Sequence, residues 1–188
     1  MTKLAPLVLV LLLQGCAGAV MVGAVGGAVM VNDERSITTQ LDDTNTDFKI
    51  SSALVAHSDI KDQANITAIT VNGSVLMIGQ APSSALRDKA VKVVQDLKIG
   101  GKIHNQIRIG NPTSFTTRSN DTWITTKVKG RMLNEKTLDV TRIKVVTENG
   151  EVFLLGLIDK SQADLAVDIA RNTAGVRKVV KVFEYTES

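Results

Sequence analysis

The chain repeats itself. Val71-Asn72-Gly73-Ser74-Val75-Leu76-Met77-Ile78-Gly79 and Glu148-Asn149-Gly150-Glu151-Val152-Phe153-Leu154-Leu155-Gly156 carry the same punctuation 77 positions apart. Asn-Gly between β-formers predicts a two-residue hairpin, because both residues tolerate the positive φ of a type I′ turn. The hairpins are expected at about 66–72 with 75–80 and about 142–148 with 151–157. The flanks repeat too. Ser83-Ser84 opens a helix with apolar residues at helical spacing (Leu86, Ala90, Val93, Val94, Leu97), closed by Gly100-Gly101. Ser161 opens its counterpart with Leu165, Ile169 and Ala170, closed by Gly175. A last strand follows each, through Ile103, Ile107 and Ile109, and through Val179, Val180, Val182 and Phe183. Another helix precedes each hairpin, around 45–56 and 120–134. The unit is α-β-β-α-β, about 65 residues, present twice. Gly79 and Gly156 close their second strands, where glycine marks a bend or a close backbone approach, so both are read as structural.

The amino end has a different character. Lys3 is the only charge before Asp33, and the apolar run from Leu4 to Leu13 gives way to small residues. That is the layout of a secretory signal peptide over residues 1–15. Leu13-Gln14-Gly15-Cys16, with the chain's single cysteine, resembles the lipobox of bacterial lipoproteins. The resemblance implies a diacylglycerol on the Cys16 thiol, cleavage before Cys16 and acylation of the new amino terminus; no other cofactor is expected. Each buried methylene is worth roughly 0.8 kcal/mol, so several chains anchor stably where one does not. Ala17, where inner-membrane lipoproteins typically carry Asp, implies sorting to the outer membrane, on its periplasmic face. The alternative is that the uncharged stretch 4–31 spans a bilayer as a helix. Residues 16–43 read as a lipidated apolar tether, with a Gly23/Gly27 GxxxG, and then a solvated acidic linker with Asp33, Glu34, Asp42 and Asp43 against Arg35.

The repeated unit resembles the BON domain, on the strength of Asn72-Gly73 to Gly79, Asn149-Gly150 to Gly156 and their helices. The runs Asn120 to Val128 and Thr147 to Leu154 are similar to those of two-domain BON lipoproteins of the outer membrane. The resemblance implies an α+β fold of two tandem BON domains, 44–110 and 119–186, joined by a linker at 111–118. Each would pack two helices on a small mixed three-stranded sheet. It also implies that the second domain binds anionic phospholipid, such as phosphatidylglycerol or cardiolipin. The protein would gather at the division site and support outer-membrane integrity.

The helix at 120–134 can be read without that resemblance. Asn120 or Asp121 is its expected N-cap. At 100° per residue, Ile124, Val128 and Met132 share a core face. Trp123, Thr126, Gly130 and Leu133 fall on a different one, with Lys127, Lys129 and Arg131 around and between them. Tryptophan favours a membrane interface, where its ring is apolar and its N–H wet. Cations near anionic headgroups gain about 1 kcal/mol each. Two other readings remain open. Trp123 packs against the first domain or the linker, with the lysines a solvated face. Or the same patch serves a periplasmic adaptor that contacts an envelope protein, since Trp and Arg are common interface anchors. The matching helix of the first repeat lacks the pattern: Asp47 to Ala56 holds Lys49 and no tryptophan.

Catalysis is not expected. One cysteine excludes an internal disulfide or a zinc cluster, and two histidines, His57 and His104, make a multi-histidine metal site implausible. No phosphate-binding loop, dinucleotide fingerprint or HExxH occurs. A net charge of +3 is too small for a protein that wraps nucleic acid.

Overall fold

The computed structural model describes residues 37–186. The signal peptide, Cys16, the apolar tether with Gly23 and Gly27, and Asp33, Glu34 and Arg35 lie outside the described residues. The elements run α1 (Ile37–Val55), α2 (Ser58–Gln63), β1 (Asn65–Val71), β2 (Ser74–Ala81), α3 (Ser84–Asp96) and β3 (Ile103–Ile109). The second set is α4 (Phe115–Leu133), a 3-10 turn (Val140–Arg142), β4 (Lys144–Glu148), β5 (Glu151–Ile158), α5 (Lys160–Arg171) and β6 (Lys178–Tyr185).

Local chemistry explains most of these boundaries. Asn72 and Asn149 both adopt positive φ (51° and 48°), as do Gly73 and Gly150, so each hairpin closes as the Asn-Gly pair requires. Each sheet is mixed: the hairpin strands are antiparallel, and the third strand returns through a helix to lie parallel beside the second. Ser83 caps α3 by accepting the Leu86 N–H, and Asp159 caps α5 by accepting that of Gln162. Leu86, Ala90 and Val94 bury one face of α3, while α5 buries Ala163, Ala166 and Ala170, small residues that let it sit close to its sheet. Gly79 is required where it stands: its φ is +118°, and a Cβ there would lie 1.9 Å from the Asn65 carbonyl oxygen. Gly156 holds the matching place in β5, buried and paired with Phe183.

Three expectations are corrected. Asp42 and Asp43 are not linker; they lie within α1, and Asp43 is buried. The stretch 111–118 is not all linker, because α4 begins at Phe115 with Ser114 as N-cap, its hydroxyl accepting the Thr117 N–H. Asn120 and Asp121 are therefore interior residues of α4 and not caps. Serine and threonine at 113–117 look like loop composition, and a run that long conceals a cap followed by a first helical turn.

Each domain has its own core between helices and sheet, one around Ile50, Val75, Met77 and Val94, the other around Ile124, Val128, Val152 and Leu154. A third cluster joins them. Ile69, Val71, Leu76 and Ile78 of the first sheet meet Phe153 and Leu155 of the second, with Val146, Val180 and Val182 at its margin. The two sheets thus pack face to face, with helices outside. This explains why all eight residues of β2 are buried: Val75 and Met77 face their own helices while Leu76 and Ile78 face the other domain. Polar contacts frame the joint. Gln80 Nε2 donates to Glu148 Oε1 at 2.6 Å, Arg108 pairs with Glu151 at 2.7 Å, and Ser74 Oγ donates to Glu184 at 2.5 Å. The described residues 37–186 belong to one compact unit, and all three clusters fall inside it.

Candidate functional site

The orientation of α4 is fixed from both ends of its buried face. Ile124, Val128 and Met132 are buried as their spacing predicts. A turn before Ile124, Asp121 is only 4% exposed, an unusual place for a carboxylate. Its two oxygens accept the backbone N–H groups of Asn149 (2.7 Å) and Gly150 (2.8 Å) at the hairpin turn. The first domain repeats the device: Asp43 of α1 accepts the N–H groups of Asn72 and Gly73, both at 2.9 Å. In each domain a helical aspartate thus holds the Asn-Gly turn and sets the rotation of its own helix. The sequence holds a signal for this, an Asp ahead of each Asn-Gly at nearly constant spacing.

With that face buried, Trp123 is 60% and Leu133 68% exposed. Thr126 and Gly130 are exposed with them, and the Thr126 hydroxyl donates back to the Thr122 carbonyl. No atom lies within 4 Å of where a Gly130 Cβ would be, so this glycine keeps the exposed ridge low beside Trp123 without being forced by packing. The larger part of the Trp123 ring is therefore open to solvent.

The cations divide. Lys127 Nζ donates to the Ala174 carbonyl at 2.7 Å and stands 5.7 Å from the centroid of the Trp123 ring. That distance is a cation–π approach. Arg131 donates to the Asn172 carbonyl and reaches Thr173 Oγ1 at 3.5 Å. Both therefore sit at the C-terminal end of α5, where unpaired carbonyls favour positive charge. Lys129 lies on the other flank of α4, toward α1 of the first domain, where it lines two hollows. Among the described residues no carboxylate pairs with any of the three. Their charge is positioned, not neutralised.

The first domain shows something the sequence reading passed over. Phe48 of α1 is 74% exposed, with Leu41 and Val55 exposed seven residues to either side, a spacing that puts all three on one face. Phe115, at the start of α4, is exposed as well. His57 sits between α1 and α2, and His104 is half-buried in β3. Among the described residues no group of acidic, histidine or cysteine side chains is placed to hold a metal, and no helix is long and apolar enough to cross a membrane.

Fold and site together define a tandem pair of small α+β modules, the second carrying a helix whose open face holds a tryptophan and basic side chains. The BON-domain family model matches residues 42–111 and 120–187, and the chain belongs to that family, in its form as an outer-membrane lipoprotein. It is 39% identical over 175 residues to the outer membrane lipoprotein DolP of Haemophilus influenzae, covering 93% of this chain and 91% of that protein. It is also 39% identical over 155 residues to a 21 kDa hemolysin of Actinobacillus pleuropneumoniae, covering 82% and 80%. The osmotically inducible protein Y of Escherichia coli is 31% identical over 144 residues, covering 74% and 70%.

Proposed function

We propose that the chain is held on the periplasmic face of the outer membrane by acyl chains on Cys16 and that its second domain docks on anionic phospholipid through α4. Trp123 and Leu133 enter the interface, Thr126 and Gly130 lie between them, and Lys127, Lys129 and Arg131 meet the headgroups. The role served is outer-membrane integrity, at the division site, with no catalytic step. The observation that carries this reading is an exposed tryptophan beside basic side chains that no carboxylate neutralises. Three cations at about 1 kcal/mol each give weak binding alone. A tether raises the local concentration enough for weak binding to suffice.

Flotation of residues 32–188 with vesicles tests it. Binding is expected to vesicles containing phosphatidylglycerol, to weaken with salt, and to be lost on Trp123→Glu. Equal binding to neutral phosphatidylcholine vesicles, or no effect of that substitution, would overturn it. A crosslinker at position 123 that captures an envelope protein and never lipid would move the face to the adaptor reading.

A further inference from the structure

The outer face of α1 carries an apolar stripe that is symmetric about its middle residue. Leu41, Phe48 and Val55 are 57%, 74% and 53% exposed, and Phe48 stands seven residues from each of the others. Asp43, Ile50 and Leu54 of the same helix are buried, so the stripe points away from its own core. Thr44, Asn45, Ser51 and Ser52 are exposed around it, and none of them is charged. The Thr44 hydroxyl donates to the Gln40 carbonyl at 2.8 Å, within the helix itself. Exposed apolar residues are normally scattered singly, and a contiguous row of them marks an interaction surface.

We infer that α1 pairs with α1 of a second copy of this chain, the two helices antiparallel across a two-fold axis at Phe48. Phe48 then meets Phe48 of the second copy, and Leu41 meets Val55 of the second copy at each end.

The pattern selects a copy over a foreign partner. A two-fold contact uses the same patch twice and must be self-complementary, which a stripe symmetric about Phe48 is. The seam is uncharged, so a copy meets no like charge along it. Asp42 and Lys49 share one flank of the stripe, and the antiparallel order turns Asp42 of one copy toward Lys49 of the other. Seven residues fall just short of two turns, so the stripe drifts by about 20° per step, the path of a partner helix in a left-handed pair. At the Val55 end, a hollow of about 500 Å³ opens between α1 and α3, lined by Ala53, Ala56, Val93 and Leu97 among others. Leu41 of the second copy arrives beside it, which extends the apolar contact past the seam. The seam from Leu41 to Val55 is about 21 Å long. That is short of the roughly 800 Å² per partner that stable complexes bury. Pairing is therefore weak between free molecules and forms where an anchor concentrates the chains on one membrane.

The test uses the full chain in isolated outer membranes. A benzophenone-bearing amino acid at position 48 is expected to capture a second copy of the chain. Introduced cysteines then read the register, with the parent chain, whose one cysteine is Cys16, as background. Under a short bismaleimide, Phe48→Cys alone is expected to give a dimer. Leu41→Cys alone and Val55→Cys alone are expected to give none, whereas the two chains produced together crosslink. All three positions are exposed, so folding is not at stake. Phe48→Glu sets two carboxylates against each other on the axis and lowers the yield from the Leu41→Cys and Val55→Cys mixture at least about tenfold. Capture at position 48 of lipid or of a different protein and never of a second copy, or equal yields from Leu41→Cys alone and from the mixture, overturns the inference. Trp123→Glu, in the other domain, leaves the crosslink in place while abolishing vesicle flotation, so pairing and lipid docking can fail separately.

Discussion

Replacing Asp121 by Ala removes the carboxylate that accepts two backbone N–H groups of the second hairpin turn. The Gly150 N–H is buried and the Asn149 N–H partly so. A hydrogen bond to a charged group contributes about 1.5–3 kcal/mol, and a buried donor left unpaired forfeits the upper part of that range. The Gly150 bond is thus worth about 2.5 kcal/mol and the Asn149 bond, whose donor regains some water, about 1. Alanine returns about 0.5 kcal/mol through its better helix propensity. The net loss is about 3 kcal/mol, a large share of the 5–15 kcal/mol that holds a domain of ordinary stability together. Asp121→Asn keeps one acceptor and turns an NH₂ toward the other N–H, costing about 2 kcal/mol. Asp43→Ala is expected to cost less than Asp121→Ala, because both of its partners are only partly buried. Urea unfolding followed by far-ultraviolet circular dichroism reads these values, with the slope in urea unchanged. A loss under 1 kcal/mol for Asp121→Ala, or the reverse order of the two aspartates, would refute the argument that these carboxylates set the rotation of their helices.

Other consequences follow from the same structure. Phe153→Ala empties the joint between the sheets and is expected to cost about 3–5 kcal/mol, with proteolysis between the domains rising; cleavage unchanged from the parent would contradict the joint. Gly79→Ala forces a Cβ into the Asn65 carbonyl and is expected to cost about 3 kcal/mol or more, and Gly156→Glu to unfold the second domain without acting on lipid directly; melting temperatures of both variants check this. Asp59, beside Lys89, Glu135, beside Thr137, and Asp159, beside Ser161, are each held below the usual carboxylate range by a side-chain hydrogen bond. A depressed carboxylate contributes stability above its unfolded value and loses it as the pH falls through the folded one. These exposed groups therefore add a small increment at neutral pH that disappears on acidification below about pH 4. Replacing all three by their amides should flatten the melting curve's pH dependence in that range, and an unchanged profile would count against these bonds.

The two halves of the chain were legible to different degrees. The Asn-Gly turns fixed both hairpins, because a positive φ at both positions leaves the backbone few alternatives. The helices at 84–96 and 160–171 followed from short-range spacing and a polar start, although Asp159, two residues before the expected Ser161, caps the second. The sheet-to-sheet joint was written more faintly. Val75-Leu76-Met77-Ile78 and Val152-Phe153-Leu154-Leu155 are continuous apolar runs where a half-exposed hairpin strand would alternate, the mark of a strand covered on both faces. Composition does not say what covers the second face. The exposed side of α4 was readable from 100° steps alone. The carbonyls that hold Lys127 and Arg131 come from residues 172–174, more than forty positions away, and no local pattern predicts them. Lys129 grouped with those two on the sequence, yet packing turns it toward the first domain.

The central claim is that the indole of Trp123 enters the bilayer. It is the chain's only tryptophan, so its emission needs no assignment. Burying the exposed part of the ring is worth about 2 kcal/mol, roughly thirtyfold in affinity. Residues 32–188 mixed with phosphatidylglycerol vesicles whose acyl chains carry bromine should show a blue-shifted emission that the bromine quenches. An emission maximum that stays at its value in water, with no quenching, would contradict the account.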